Sequence, residues 1–542
     1  MTGPPPGFPL PRASVVIATY ERGPALRRLL EDLAAQSVAK DSFEVLIVDD
    51  GSKTPASEAV SGLELPYRLE LVRQDNAGAA AARDRGARLA RGEILVIVDD
   101  DMRLHPSFLE EHLRLHTGES RRVVLGPIQA GSGAATNVFE RYNAHRLRSF
   151  GEAVASGRQK LLGNNLCTGN VSMRRVDYLE VGGFHRELRR SEDAELGLRL
   201  EEAGVEMVFA PAAPTFHDSD HSNARWLSRA FEYGKVDLRI ARMHPEALHA
   251  DPFRYYYMLP LLGRPFLWIA LAMPAIGRVL ARAMLGCASI CDRLGARAVA
   301  MRGAGVAYGM EYFRGIRAEA GGGRRAFRSH ARYLAVAAAR DPLPPGVPRR
   351  RALLCKALRD LAIDRRTRHG YEAKYRGGVP GSWPSELLQK IGLQMCLAYR
   401  MMWFFQHARF PLFARMSSRM MRHLYGCDIH FEAELEAGVV FVHGMGICIS
   451  SQARVGPGCI LTQNVTLGTS IDPQSRVSGA PHLERDVHVG GGASLLGPIT
   501  VGAGSKIMPN VVLTRSVPAG SIVEAPEPRV RPRLSAQAAK QD

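Results

Sequence analysis

The chain has 542 residues, 46% apolar and 23% charged, enough for two or three domains with ordinary cores; a collagen-like fibre and wholesale disorder are excluded. Lys and Arg outnumber Asp and Glu by 71 to 54, a net charge of +17, so a partner or a surface has to account for the excess. Eight cysteines with no CxxC pair and no zinc spacing exclude a disulfide scaffold and read as reduced thiols of a cytoplasmic protein.

The opening MTGPPPGFPLPRAS has no apolar core and does not read as a signal peptide; residues 1–12 are expected to be disordered. Residues 14–18 (SVVIA) and 44–50 (EVLIVDD) are short β-branched runs separated by a helical pattern, Ala25–Gln36. A third run, Glu93–Val98, ends in Asp99-Asp100-Asp101. Strands alternating with helices predict a parallel sheet covered on both faces, with ligands beyond the carboxyl ends of the strands. Thr19-Tyr20-Glu21, Asp49-Asp50-Gly51-Ser52 and Asp99-Asp100-Asp101 fall at those ends. Clustered carboxylates repel one another and suit Mg²⁺ or Mn²⁺ bridging to a phosphate. One DDD alone would read as a solvated turn.

The order of motifs changes that balance: VVIATYERG, VDDGS, Asn76-Ala-Gly78 leading to Ala82-Arg83-Asp84, VDDDM, then Ser191-Glu192-Asp193 followed by ELGLRL. Over about residues 12–220 this resembles the family 2 glycosyltransferases and their GT-A fold, a Rossmann-like nucleotide-diphospho-sugar transferase domain. The resemblance implies a nucleotide-sugar donor, with Tyr20 and Glu21 bordering the base and Asp50 accepting from it. Arg83 would approach the diphosphate, and Asp100 is grouped with these nucleotide-side residues. Asp99 and Asp101 would form the metal-binding DxD, with His217 as a further ligand. Asp193 would be the general base of a single inverting displacement; its place at a helix start also suits the helix dipole. Ser172-Met173-Arg174-Arg175 and Gly182-Gly183-Phe184 match the acceptor-side region. Arg225-Trp226 lacks the Gln of the processive QxxRW signature, so polymerisation is not expected.

The charge sits in the middle. Residues 225–376 hold 29 Lys/Arg against 11 Asp/Glu, so the rest of the chain is near neutral. The same region holds the most apolar stretch, Tyr255–Gly286, cut by Arg264 and Arg278. The 13 residues between those arginines fall short of the ~20 needed to span a bilayer. An interfacial segment on anionic lipid fits better, on the inner face of the cell membrane; the plainer alternative is a buried helix pair with a solvated basic face. No recognition motif accompanies the charge, so nucleic acid is not an expected partner.

Residues 226–345 thus read as a basic helical region and 346–384, beginning within DPLPPGVPRRR (341–351), as a linker. Residues 385–425 read as helical, with a Met/aromatic content typical of core. After Gly426 a period of six takes over. Ile429, Leu435, Phe441 and Ile447 form one series; Ile449, Val455, Leu461 and Leu467 the next; after an insertion come Val489, Leu495, Val501, Ile507 and Leu513. A six-residue apolar repeat builds a parallel β-helix, here over 426–525, with a disordered tail at 526–542.

Cys427-Asp428-Ile429-His430, Val442-His443-Gly-Met-Gly446, Gln463-Asn-Val-Thr-Leu-Gly468 and Pro481-His482 resemble the serine O-acetyltransferases, left-handed β-helix enzymes, over about 385–530. The resemblance implies direct acyl transfer from acetyl-CoA: His443 deprotonates an acceptor hydroxyl, Asp428 orients His443, and His482 is a second active-site histidine. Gly491 and Lys506 are the expected coenzyme A contacts, and a homotrimer or a multiple of it is implied. Two positions depart from the family. Val442 stands where Asp precedes the catalytic His, and Pro481 where Arg precedes the second. Those charges hold the amine and carboxylate of serine, so a site lacking both favours a saccharide hydroxyl. The leading expectation is a bifunctional transferase that glycosylates and O-acetylates a saccharide in glycan or glycoside biosynthesis. The alternatives are a serine acetyltransferase fused to a glycosyltransferase, and a chain with one non-catalytic domain, a trimerising scaffold or a sugar-binding module.

Overall fold

The structure, a computed structural model, describes residues 10–118, 120–131, 137–217, 222–340, 344, 347–377, 381–472 and 476–526. Almost all of the two segments read as disordered termini, 1–9 and 527–542, lies outside the described residues. Arg12, assigned to the first of them, donates to the Leu113 carbonyl at 2.9 Å. The chain divides into two compact units, Met1–His330 and Ala331–Asp542.

The first unit is built on strands β1 (Ala13–Thr19), β2 (Phe43–Asp49), β3 (Arg68–Arg73), β4 (Ile94–Ile97), β5 (Met102–Leu104), β6 (Arg122–Leu125), β7 (Ile128–Ala130), β8 (Val171–Arg174), β9 (Glu206–Phe209) and β10 (Thr215–His217). Seven form one sheet in the order β3-β2-β1-β4-β8-β6-β9; β5, β10 and β7 form a second. Its first helices are α1 (Gly23–Ala34), α2 (Ala56–Val60), α3 (Ala79–Leu89), α4 (Phe108–Leu115), α5 (Val138–Ala155), α6 (Arg175–Glu180) and α7 (Glu192–Glu202). In α1, Leu26, Leu29, Leu30 and Leu33 recur at i, i+3, i+4 and i+7 and are buried against the sheet. β1 and β2 are buried on both faces, as a helix-covered parallel sheet requires.

The sheet is not wholly parallel. β8 runs antiparallel to both β4 and β6, with Val171 opposite Ile97. The chain therefore enters β8 at the carboxyl end of β4, which brings the turn 167–170 beside the DDD motif: a Cβ on Gly169 would lie 3.6 Å from Asp99 Oδ2.

The basic middle is helical: α8 (Asn223–Met243), α9 (Arg254–Met258), α10 (Arg264–Ala272), α11 (Pro274–Arg293), α12 (Arg297–Ala320) and α13 (Gly323–Ala337). α8 and α12 touch backbone to backbone. A Cβ on Gly234 would sit 1.9 Å from the Tyr312 carbonyl oxygen, and one on Gly315 2.0 Å from that of Phe231. Only glycine fits such a crossing.

In the second unit the segment read as a linker is instead mostly helix, α14 (Arg349–Arg376). Its charges obscured it in sequence: the arginines neutralise buried carboxylates and reach solenoid carbonyls, so the helix is held by polar contacts that apolar periodicity does not register. α15 (Trp383–Gln389), α16 (Ile391–His407) and α17 (Pro411–Tyr425) follow. The Met/aromatic stretch is core only in part. Met395, Met402 and Met421 are buried, but Leu412, Phe413, Met416, Met420 and Leu424 stand exposed along α17.

The six-residue pattern is a left-handed β-helix with three parallel faces. One face stacks Asp428–Ile429, Cys448–Ile449, Thr466–Gly468, Ser494–Leu496 and Val512–Leu513. The second stacks Glu434–Leu435, Arg454–Val455, His482–Leu483 and Thr500–Val501. The third stacks Val440–Phe441, Ile460–Leu461, His488–Val489, Lys506–Ile507 and Ile522–Val523. The apolar partner in each pair points inward, from Ile429 to Leu513, 0–5% exposed. Ile447 is buried but outside the register: Ile449 pairs with Ile429, and Leu483 opens the post-insertion series. The six-residue period slips because Gly444-Met445-Gly446 lengthens one corner; a second insertion follows Gly468 and carries a short hairpin, Ser470–Ile471 with Ser478–Gly479. His443 adjoins the first insertion and His482 follows the second.

Candidate active sites

In the first unit the carboxyl ends of β1, β2 and β4 converge: Thr19 pairs with Asp49 and Val16 with Ile97. Tyr20 and Glu21 are exposed there, Glu21 with φ 56°. Asp50 is buried, and its oxygens accept from Ala77 N at 2.9 Å, Gly78 N at 2.8 Å and Gln74 Nε2 at 2.8 Å. Asp50 thus shapes the 74–78 turn at the start of α3. Asp100, grouped above with the nucleotide-side residues, is also turned inward. It accepts from the Thr19 hydroxyl at 2.7 Å and from Arg22 at 3.1 Å, and burial pushes its carboxyl up to about 6.

Asp99 and Asp101 turn to partners other than those of Asp100. Arg83 donates from Nη2 to Asp99 at 2.6 Å and from Nη1 to Glu192 at 2.7 Å, tying α3, the β4 end and the start of α7 together. Asp101 is paired with Arg22 and lies 3.2 Å from His217 Nε2. Burial pushes Asp101 up, but the bonds and charges of His217 and Arg22 outweigh it and hold the carboxyl near 2. A carboxylate and an imidazole nitrogen at that separation fit Mn²⁺ or Mg²⁺ as a pair of protein ligands. Among the described residues no three His, Cys, Asp or Glu side chains form a full cage, so a bound ion would draw its remaining ligands from elsewhere.

Asp193 is the carboxyl raised furthest of these. Burial, with Glu192 and Asp99 nearby, pushes its carboxyl up to about 7, against the Ala194 N–H and Arg83. A base poised near neutrality is what proton abstraction from a hydroxyl at physiological pH requires. The acceptor-side strand residues sit elsewhere: Met173 is in the core, and the Ser172 hydroxyl lies 2.8 Å from both His112 Nδ1 and His116 Nε2. Gly183 packs on Asp84 and Tyr178, where a Cβ would collide.

In the second unit His443 is exposed in the corner between the third and first faces, and Asp428 opens the first face. Asp428 accepts from Arg422 Nη2 at 2.6 Å. His482 is exposed on the second face, in register with Arg454, which itself pairs with Glu434 at 3.1 Å. His443 and His482 therefore belong to different faces of one solenoid. Val442 and Pro481 are both buried and apolar. Lys506 is exposed above His488 on the third face, and Gly491 lies against Gln463 in the next corner.

Residues 14–183 match the Glycosyl transferase family 2. The chain is 32% identical over 225 residues to a validoxylamine A glucosyltransferase of Streptomyces hygroscopicus subsp. jinggangensis, covering 37% of this chain and 53% of that protein. Its C-terminal region is 36% identical to a serine acetyltransferase of Synechococcus elongatus over 139 residues, 25% of this chain and 55% of that protein. A serine acetyltransferase of Helicobacter pylori is 34% identical over 137 residues, 25% of this chain and 78% of that protein. Through this region the chain belongs to the serine acetyltransferase family. It is a fusion of a family 2 glycosyl transferase domain with a serine acetyltransferase-like one. The chain spans about half the length of several curated relatives it matches.

The fusion's sites include residues that motif reading missed. Arg22 and Glu192 complete the charge network of the glycosyl transferase domain. In sequence Arg22 is only the residue after Tyr20-Glu21, and Glu192 only an acid at a helix start beside Asp193. Ser191, with φ 52°, turns the chain into α7 and bonds to Asp237 of α8, a link between distant segments that no local pattern carries.

Proposed function

We propose that this fusion is a bifunctional transferase: the first unit moves a glycosyl group from a nucleotide-sugar, and the second moves an acetyl group from acetyl-CoA to a saccharide hydroxyl. The observation that carries the first half is Asp193, a carboxylate raised toward neutrality beside Arg83, Glu192 and Asp99. Asp193 takes the acceptor's hydroxyl proton as that oxygen bonds to the anomeric carbon. The bond from that carbon to the nucleotide diphosphate breaks, and the diphosphate leaves with the electron pair. Arg83 is placed to meet its charge once Asp99 is relieved. Asp101 and His217 are the residues to hold Mg²⁺ or Mn²⁺, which when bound neutralises the leaving diphosphate.

In the second half His443 takes the proton of the acceptor hydroxyl, whose oxygen attacks the thioester carbonyl and expels coenzyme A as the thiol. Val442 and Pro481 support a saccharide over serine, since neither offers a charge to an amino acid's amine or carboxylate. A homotrimer supports this chemistry, because His443 and His482 lie on different faces of one solenoid and a neighbouring copy can bring such faces together. The exposed α17 stripe and exposed Val512 and Ile522 supply apolar contact surface.

The helical middle supports contact with the inner face of a membrane. α11 is by length and composition able to cross a bilayer, because the break at Met273-Pro274 starts a new helix rather than ending one at Arg278. Its buried side is Gly277, Ala281, Leu285 and Ala288. On the opposite side Ile276, Val279, Ile290 and Leu294 are exposed, flanked by exposed Arg278, Arg282 and Arg293. Residues 254–302 carry seven arginines and one acid, Asp292, itself paired with Arg141. A spanning pose would bury Arg278 and Arg282; an in-plane pose puts the stripe in acyl chains and the arginines at anionic headgroups.

The deciding experiment incubates the full chain with a panel of nucleotide-sugars and, separately, with acetyl-CoA and either L-serine or saccharides. Nucleotide diphosphate release that EDTA abolishes, and thiol release that saccharides but not serine stimulate, are expected. Serine-dependent thiol release would sink the saccharide reading.

A further inference from the structure

Ser191 leads directly into Glu192-Asp193, and its hydroxyl donates to Asp237 Oδ1 at 2.8 Å. The other oxygen, Asp237 Oδ2, accepts from the Tyr312 hydroxyl at 2.6 Å. Asp237 therefore splices the segment bearing the candidate base to the α8–α12 crossing, whose glycine contacts fix Tyr312 in place. From Tyr312 a tyrosine surface spreads outward. Its ring centroid lies 5.5 Å from that of Tyr255 and 6.3 Å from that of Tyr308, which stacks on it. Tyr255 and Tyr308 are 6.2 Å apart, and Tyr142 packs on Gly305 of the same helix.

This surface is not a sealed core. Tyr142, Tyr233, Tyr255 and Tyr308 are only half-buried, and Arg146 is exposed among them. Arg190 lies over the Tyr233 ring at 5.5 Å. Neither arginine has a carboxylate partner among the described residues, unlike Arg83 beside the base. A greasy helix interface would use Phe or Leu; tyrosines give ring faces that stack on sugar C–H groups and hydroxyls that exchange hydrogen bonds with sugar hydroxyls. Two guanidiniums without carboxylates suit an oxyanion such as phosphate or carboxylate.

We infer that Tyr233, Tyr255 and Tyr308, backed by the buried Tyr312, form with Arg146 and Arg190 an acceptor subsite that takes a saccharide bearing an anionic group. The inference rests on Asp193 being the base, since that residue places the subsite on the acceptor side. Tyrosine faces hold the sugar ring, Arg146 holds the anion, and the acceptor hydroxyl is left toward Asp193.

The test is saturation-transfer NMR on the full chain, with UDP and MnCl₂ added to fill the nucleotide site, using glucose 1-phosphate and methyl glucoside as probes. Glucose 1-phosphate is expected to bind at least about tenfold more tightly than methyl glucoside, one charge-assisted contact's worth. Arg146→Gln, at an exposed position, should abolish that preference without touching methyl glucoside. Tyr308→Ala should weaken both probes, and Tyr308→Phe, which keeps the ring, should keep methyl glucoside binding within about twofold. Equal affinity for the two probes, or wild-type affinity in both Arg146→Gln and Tyr308→Ala, overturns the subsite. Slow UDP release from UDP-glucose, and its loss in Asp193→Asn with sugar binding intact, reports on the base separately. Failure there with the probes still bound at the tyrosines would sink the glycosyl-transfer reading and not the subsite.

Discussion

Arg400 grips Asp364 through two parallel bonds, Nε to Oδ2 and Nη2 to Oδ1, each 2.9 Å, with both side chains buried. The pair joins α16 to α14 and does more than neutralise itself. Arg400 also donates to the carbonyls of Leu435 and Glu436 at 2.7 Å, and Asp364 accepts from Gly438 N at 2.7 Å. Arg368 donates to the Phe441 carbonyl at 2.9 Å, and Tyr399 to that of Ala433 at 2.8 Å. These groups belong to the first coil, which has no preceding coil to bond. The helices thus cap the open end of the solenoid, as terminal repeats must be capped.

The first prediction follows from that cap. Arg400→Met leaves Asp364 buried without its partner and two first-coil carbonyls, those of Leu435 and Glu436, unbonded, a loss of about 3–5 kcal/mol. Arg400→Lys should recover less than half, since one ammonium cannot reproduce the two-pronged bond. Urea denaturation followed on the second unit's transition checks both; an unchanged midpoint for Arg400→Met would remove the capping role.

The second prediction concerns Asp193. Its active form is the carboxylate, and its raised pKa keeps it protonated below about 7. Glycosyl transfer should therefore fall as pH drops through about 7, and Asp193→Asn should lose at least about a hundredfold in kcat. The stability sign is opposite. With the folded pKa above the unfolded value, ionisation opposes folding, so stability is lost as pH rises from about 4 to about 7. Asp193→Asn should then be more stable than wild type above pH 7 and indistinguishable from it near pH 4. A flat activity profile between pH 6 and 8 would remove Asp193 as the base.

The residues that sequence patterns made legible are those whose local spacing records their environment. The period of six reports the solenoid because each of those residues meets the same buried axis. The strand-end acids report the sheet because β1, β2 and β4 all end together. What stayed hidden depends on contacts across the chain. Asp50 and Asp100 look like Asp99 and Asp101 in sequence, yet Ala77, Gly78, Thr19 and Arg22 turn them inward. The α14 helix hid among its arginines, because its partners Glu386, Phe441 O and Arg400 lie on other elements. The α17 stripe reads as core, yet the single chain leaves it open; composition reports burial without saying which chain provides it.

The third prediction addresses the second unit's chemistry. His443→Ala should lower thiol release from acetyl-CoA by about 10²–10⁴-fold, the range of a general base. Asp428→Asn should cost less, since it acts through the imidazole, and its effect should shrink at high pH. Restoring charge with Val442→Asp and Pro481→Arg should raise serine-dependent release and lower saccharide-dependent release, reading the acceptor preference directly. No change in either substrate would show that these two positions do not select it.

The fourth prediction uses the α17 stripe. Leu412, Met416, Met420 and Leu424 recur every four residues and are 56–65% exposed, which an isolated soluble chain seldom tolerates over a contiguous face. Met416→Glu with Met420→Lys should convert a multiple of three copies into monomer in light scattering. Thiol release should fall with it, because His443 and His482 would no longer be brought together between copies. A monomeric wild type of full acetyl-transfer activity would overturn the shared site.

The fifth prediction separates the membrane from a solvated basic face. On the in-plane reading, Val279 and Leu294 enter the acyl region while Arg278, Arg282 and Arg293 meet headgroups, so both kinds of contact contribute. Sedimentation with vesicles of phosphatidylglycerol and phosphatidylcholine should carry the chain down, and vesicles of phosphatidylcholine alone should carry far less. Arg278→Gln with Arg282→Gln should lose about 1 kcal/mol per arginine, roughly thirtyfold in partitioning together, and this loss should vanish at high salt. Val279→Asp should weaken binding at every salt concentration, because it removes buried apolar area rather than charge. Salt-sensitive binding that Val279→Asp leaves unchanged would mean the arginines meet headgroups from above, with α11 outside the acyl layer.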